Sequence, residues 1–64
     1  MKVIEILDKI EGGVTNLAKM DDGSFLVGII YEVGMEIQRK DPAVDFLHTN
    51  DEAEARAYLE RARK

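Results

Sequence analysis

The sequence predicts an α+β domain: a three-stranded antiparallel sheet carrying an N-terminal and a C-terminal helix on one face, in the order α-β-β-β-α. Three observations predict it. Asp22-Gly23 lies between two apolar-patterned runs, the strongest short-range signal of a β-hairpin. From Phe25 the apolar residues alternate without interruption through Val27, Ile29, Tyr31, Val33, Met35 and Ile37, the period of a half-buried strand. The final segment opens with Thr49-x-x-Glu52, a capping box, and continues with Ala55, Tyr58, Leu59 and Ala62 at helical spacing.

Taken in order, Lys2–Glu11 reads as the first helix. Val3, Ile6, Leu7 and Ile10 recur at helical spacing, and Val14 extends the stripe. Glu5 and Lys9 form a favourable i,i+4 pair, and Gly12 suits the position just past a helix end. Two features pull the other way: "KVIEIL" is β-branched, and no N-cap residue precedes it. An extended first segment would open the sheet instead.

The hairpin follows. A two-residue type I′ loop at Asp22-Gly23 would pair Met20 with Phe25 and Ala18 with Val27. The opposite face of the long strand is mixed: Leu26, Gly28, Ile30, Glu32, Gly34, Glu36 and Gln38. A break near Gly34 would split this strand and make the sheet four-stranded. "KDPA" is a turn. In the third strand, "VDFLH", Val44, Phe46 and His48 share one face and Asp45 and Leu47 the other. In the last helix, Glu52–Arg56 and Glu60–Lys64 are i,i+4 pairs in the favourable order.

Composition bounds the function. The 64 residues make a single domain, 1–64, with a thin margin of stability. There is no Cys and one His, which removes disulfides, thiolate nucleophiles and the ordinary zinc ligand sets. Association with another chain is the remaining staple for so small a domain. The formal net charge of −4 disfavours nucleic acid and anionic membrane surfaces as direct partners. No run is long and apolar enough to span a bilayer, and the N-terminal apolar stretch carries acids, unlike a secretory signal; the expected location is cytoplasmic.

No residue pattern points to catalysis or to a cofactor. His48 reads as the strand-to-helix junction, at N′ of the capping box, where it would pack against Ala53. Ser24, the lone serine, falls in the hairpin turn. Asp21-Asp22-Gly23 lacks the twelve-residue ligand pattern of a calcium loop. Basic residues are scattered, with Arg39-Lys40 as one small patch and others along the last helix.

The α-β-β-β-α order is similar to the topology of the double-stranded-RNA-binding domain, and the alanine-rich final helix adds to the likeness. That domain meets phosphates with lysines at the start of its second helix. Here the corresponding stretch is Asn50-Asp51-Glu52-Ala53-Glu54, whose carboxylates repel phosphate.

The expected function is therefore protein binding without catalysis, as in a small phage or bacterial accessory factor. Leu26, Ile30 and Leu47 should face away from the helices, with Leu17 joining them, as an apolar patch rimmed by Glu32, Glu36 and Asp45. Homodimerisation through this patch would bury it, and Glu32 and Glu36 would steer a basic partner. The alternative is an acidic mimic of nucleic acid that occupies a nucleic-acid-binding protein.

Overall fold

A computed structural model describes residues 1–37 and 45–63. It shows four strands and one helix: β1 (Val3–Lys9), β2 (Thr15–Met20), β3 (Phe25–Ile29), β4 (Asp45–Thr49) and α1 (Glu52–Ala62). The strands form one antiparallel sheet in the order β1-β2-β3-β4. The α+β class and the C-terminal helix stand, but the N-terminal helix does not, and the order is β-β-β-β-α. The likeness to the RNA-binding topology falls with it. The Lys40–Ala43 turn, the Val44 strand start, the Arg39-Lys40 patch and the Glu60–Lys64 pair lie outside the described residues.

The first segment is a strand because its helical spacing has another origin. β1 contains two register shifts against β2, one between Val3 and Glu5 and one between Ile6 and Asp8. Each bulge adds a residue and resets the alternation. Val3 and Ile6 therefore pack on one face of the sheet, while Leu7 and Ile10 pack on the other. Two bulged half-turns of a strand mimic the i, i+3, i+4, i+7 pattern, and β-branched propensity decides between the readings. Gly12 ends no helix. It adopts φ 80° in the β1–β2 turn, where Gly13 N–H donates to the Ile10 carbonyl at 3.3 Å.

The hairpin is where expected, but its register is not. Lys19 pairs with Phe25, Ala18 with Leu26 and Leu17 with Val27. The loop holds three residues, Asp21-Asp22-Gly23. Gly23 N–H donates to the Met20 carbonyl (3.0 Å), and Met20 N–H to the Ser24 carbonyl (2.8 Å). Gly23 at φ 86° supplies the left-handed residue of the G1-bulge form of this loop. A shift of one residue exchanges faces. Ala18 and Met20 leave the Phe25 and Val27 side and join Leu26.

The sheet is consequently apolar on both faces, and both are covered. On one side α1 packs across β2, β3 and β4, burying Leu17, Val27, Ala55 and Leu59. On the other side the chain does not continue β3 beyond Ile29. It crosses the sheet as a strap, Ile30–Ile37, and reaches the outer edge of β1. There Val3 N–H donates to the Met35 carbonyl (2.9 Å), Gly34 N–H to the Val3 carbonyl (2.8 Å) and Ile37 N–H to the Met1 carbonyl (2.8 Å). The strap buries Ile30 and Ile37 over Val3, Ala18, Met20 and Leu26. The single apolar face expected from Phe25 to Ile37 is thus divided, with Phe25 and Val27 under the helix and Met35 and Ile37 packing inward from the strap onto the other face.

The helix cap lies two residues later than expected. Asp51 is the N-cap, and its carboxylate accepts from Ala53 N–H (2.9 Å) and Glu54 N–H (3.3 Å). Thr49 stands outside as a brace: its hydroxyl accepts from Asp51 N–H (3.0 Å) and donates to Glu54. The reciprocal bond of a capping box is replaced by this brace: Asp51 N–H donates to Thr49, and Glu54 accepts from the Thr49 hydroxyl. Of the expected stripe, Ala55 and Leu59 are buried and Tyr58 half-buried, whereas Ala62 is exposed.

Candidate functional site

The expected apolar patch does not exist as a surface. Leu26 is fully buried beneath the strap, and Ile30, the strap's first residue, is itself fully buried against it. Leu47 pairs with Val27, not with Leu26, so it lies on the helix face, half-buried against α1's cluster. Leu17 is fully buried on that same face. The sheet thus separates Leu47 from Leu26 and Ile30. Glu36 is exposed, but its carboxylate receives the N-terminal ammonium at 2.8 Å, which raises the pKa of that amine. Glu32 is exposed on the strap.

Two local arrangements were not foreseen. The first joins the lone histidine to the lone serine. His48 pairs with Leu26 across β3–β4, and Ser24 precedes Leu26 by two, so both side chains stand on the strap face. Ser24 Oγ and His48 Nε2 are 2.6 Å apart. Ser24 Oγ also contacts Asp22 Oδ1 at 2.5 Å, and that oxygen accepts from Ser24 N–H at 3.0 Å. These bonds hold the Asp22 carboxyl below its ordinary pKa, the Ser24 hydroxyl contributing most and the backbone N–H next.

The proton count decides what this group can do. A hydroxyl carries one proton. The ionised Asp22 carboxylate can only accept, so the Ser24 proton points at Asp22. His48 Nε2 must then be the donor to Ser24. A nucleophilic pair needs the reverse, an imidazole nitrogen ready to accept from the hydroxyl. Ser24 is moreover 2% exposed. The chain His48→Ser24→Asp22 pins the hairpin loop to the edge strand β4. His48 is therefore bound to the hairpin and does not serve as the N′ residue of a capping box.

The second arrangement is the tip of the strap. Tyr31 is 64% and Val33 59% exposed, with Glu32 between them. Both ends of this segment are fixed. At the entry, Ile30 N–H donates to the Val14 carbonyl at 3.0 Å, and the Ile30 carbonyl accepts from the buried Asn16 side-chain amide. At the exit stand the Gly34 and Met35 bonds to Val3. Sequence alternation hid Tyr31 and Val33 inside a supposed strand; the turn signal Glu32-Val33-Gly34 was the available clue.

Among the described residues no cluster of three His, Asp or Glu side chains could hold a metal ion, and no helix is long and apolar enough to cross a membrane. An open crevice of about 430 Å³ lies between Lys9, Ile10, Glu11 and Arg63. Its guanidinium is already bound to Asp8, Glu60 and the Lys9 carbonyl.

The site and fold thus define a small antiparallel sheet with one terminal helix, strapped on its second face. No family model, no curated protein and no solved structure matches the chain.

Proposed function

We propose that the protein is a non-enzymatic interaction module that binds another protein through the strap tip, Tyr31-Glu32-Val33. The observation that carries this reading is the exposure of Tyr31 and Val33 on a segment anchored at both ends. A pre-ordered loop loses little freedom on binding. Tyrosine is enriched among residues that dominate interface energies. Glu32 adds a charge that favours a basic partner.

Self-association through Leu26 and Ile30 draws no support, because the strap covers Leu26 and buries its own Ile30. Charge mimicry of nucleic acid draws less support, since Asp8, Glu36, Glu52 and Glu60 each already face a cation within the molecule.

The test compares the wild type with a Tyr31→Ala/Val33→Ala double variant as bait in native extract, at low and high salt. Val14→Ala, which changes an exposed residue on the β1–β2 turn, serves as the control. A protein retained by wild type and control, released roughly tenfold more readily by the double variant and resistant to salt, is the expected result. Equal retention by all three, or binding abolished by salt alone, would falsify the tip as the contact surface.

A further inference from the structure

The β2–β3 loop makes two demands that meet in one dipeptide. The residue at φ 86° is glycine because a side chain is strained there. The residue before it must offer a short acceptor to Ser24 N–H (3.0 Å) and Ser24 Oγ (2.5 Å), which Asp22 supplies. The product of both demands, Asp22-Gly23, is an aspartyl sequence prone to cyclisation, since glycine has no Cβ to shield its nitrogen. Nothing packs over it. Asp22 and Gly23 are exposed, and the space a Gly23 Cβ would take is empty. What opposes ring closure is hydrogen bonding. The Gly23 nitrogen, the nucleophile, donates its proton to the Met20 carbonyl at 3.0 Å. Asp22 Oδ1 is held by Ser24, which is 2% exposed and whose hydroxyl is itself fixed by His48 Nε2 at 2.6 Å. A carboxylate so held stays ionised, and an ionised carboxylate has no oxygen able to leave as water.

We propose that Asp22-Gly23 is a latent isoaspartate site, kept closed in the folded protein by the Ser24 hydroxyl. In the reaction the Gly23 nitrogen attacks Asp22 Cγ and gives up its proton, while a protonated carboxyl oxygen leaves as water. The succinimide so formed then takes up one water. Entry at Cγ restores aspartate. Entry at the backbone carbonyl carbon leaves Gly23 attached through Cγ as isoaspartate, with the main chain one atom longer. Water is the only co-reactant, and it reaches the exposed loop. The longer chain does not fit a loop in which Met20 bonds both Gly23 and Ser24. Met20 belongs to the core beneath the strap, so ring closure at the hairpin tip loosens that cluster.

The rate of isoaspartate formation at neutral pH tests the proposal, read by chromatography and fragmentation of the tryptic peptide Met20–Arg39. Four samples are compared: folded wild type, wild type unfolded in urea, Ser24→Ala and Asp51→Ala. The last removes the helix cap, whose bonds go to Ala53 and Glu54, and so lowers stability without touching the loop. Circular dichroism checks folding; should Ser24→Ala not fold, Ser24→Cys, with its weaker donor, takes its place. Folded wild type should react at least about tenfold more slowly than the unfolded chain, because the loop's hydrogen bonds must open first. The folded Ser24 variant should react several-fold faster than wild type, and Asp51→Ala close to the wild-type rate. Wild type that reacts as fast folded as unfolded overturns the proposal. So does a folded Ser24 variant no faster than wild type, or an Asp51→Ala protein that accelerates as much.

Discussion

At the scale of single residues, Asp22, Ser24 and His48 show how a group that looks reactive in outline is settled by counting protons. Asp22 has a depressed pKa in the folded protein, so its contribution to stability is present above the ordinary aspartate value of about 3.9 and is lost as pH falls through the lower folded value. The hydroxyl of Ser24 is the largest cause of that depression. Ser24→Ala should therefore destabilise the protein at neutral pH and move the Asp22 titration upward, towards the ordinary range. The difference in stability between the two proteins should narrow as pH falls from about 3.9 through the depressed folded value of Asp22, below which the carboxyl is protonated in both. Urea unfolding at a series of pH values, with carboxyl NMR titration of Asp22, reads both effects. A stability difference constant from neutral to acid pH would mean that the hydroxyl acts by packing alone. Asn16 offers a second case. Its amide supports the Ile30 carbonyl, while its own buried Oδ1 has no hydrogen-bond partner among the described residues.

At the scale of elements, the helix cap separates two frames that the sequence allows. Thr49 and Asp51 both qualify as N-cap residues, and Asp51 is the one used. Asp51→Ala should cost about 1 kcal/mol, since two N–H groups lose their acceptor. Glu52→Gln should cost no more than a few tenths, the worth of an exposed i,i+4 pair. Denaturant midpoints at constant slope would show the ranking, and a larger loss at Glu52 would restore the earlier frame. The elements that were legible share a property: their signals are local. The final helix needs only its spacing and its cap, and the hairpin only Asp22-Gly23. What was illegible depends on counting residues against a partner. Asp-Gly closes a two-residue loop or the end of a three-residue one, and nothing in the pair itself selects between them. That single residue decides which face receives Ala18 and Met20. In β1, two bulges convert a strand's alternation into a helix's spacing, and only the partner strand reveals them. Glu32 of the candidate site was legible as a solvated acid, whereas Tyr31 and Val33 were concealed because the alternation runs unbroken from Phe25 through the strap.

At the scale of the molecule, one sheet separates two apolar clusters, and neither half could stand without the other. The helix buries Leu17 and Val27 on one side; the strap buries Ala18, Met20 and Leu26 on the other. For 64 residues this double cover is a substitute for disulfides or metal, because it lets both faces of each central strand contribute burial. It also fixes what substitutions on the strap side must do. A carboxylate at Leu26 would sit in a fully enclosed site beside His48, whose Nε2 is already bonded to Ser24, so Leu26→Asp should leave the protein unfolded. Leu26→Ala is the graded version and should cost about 2–5 kcal/mol. Leu59→Ala, beneath the helix, should cost a comparable amount. Circular dichroism at 222 nm and tyrosine fluorescence should report one transition in each Ala variant, since β2 and β3 belong to both clusters and cannot lose one cover while retaining the other. Tyr58 packs on the helix side and Tyr31 lies on the strap, so two-step unfolding would appear as a fluorescence change displaced from the helix signal. A folded Leu26→Asp protein would contradict the strap itself, since only a Leu26 open to solvent could accept the charge at so little cost.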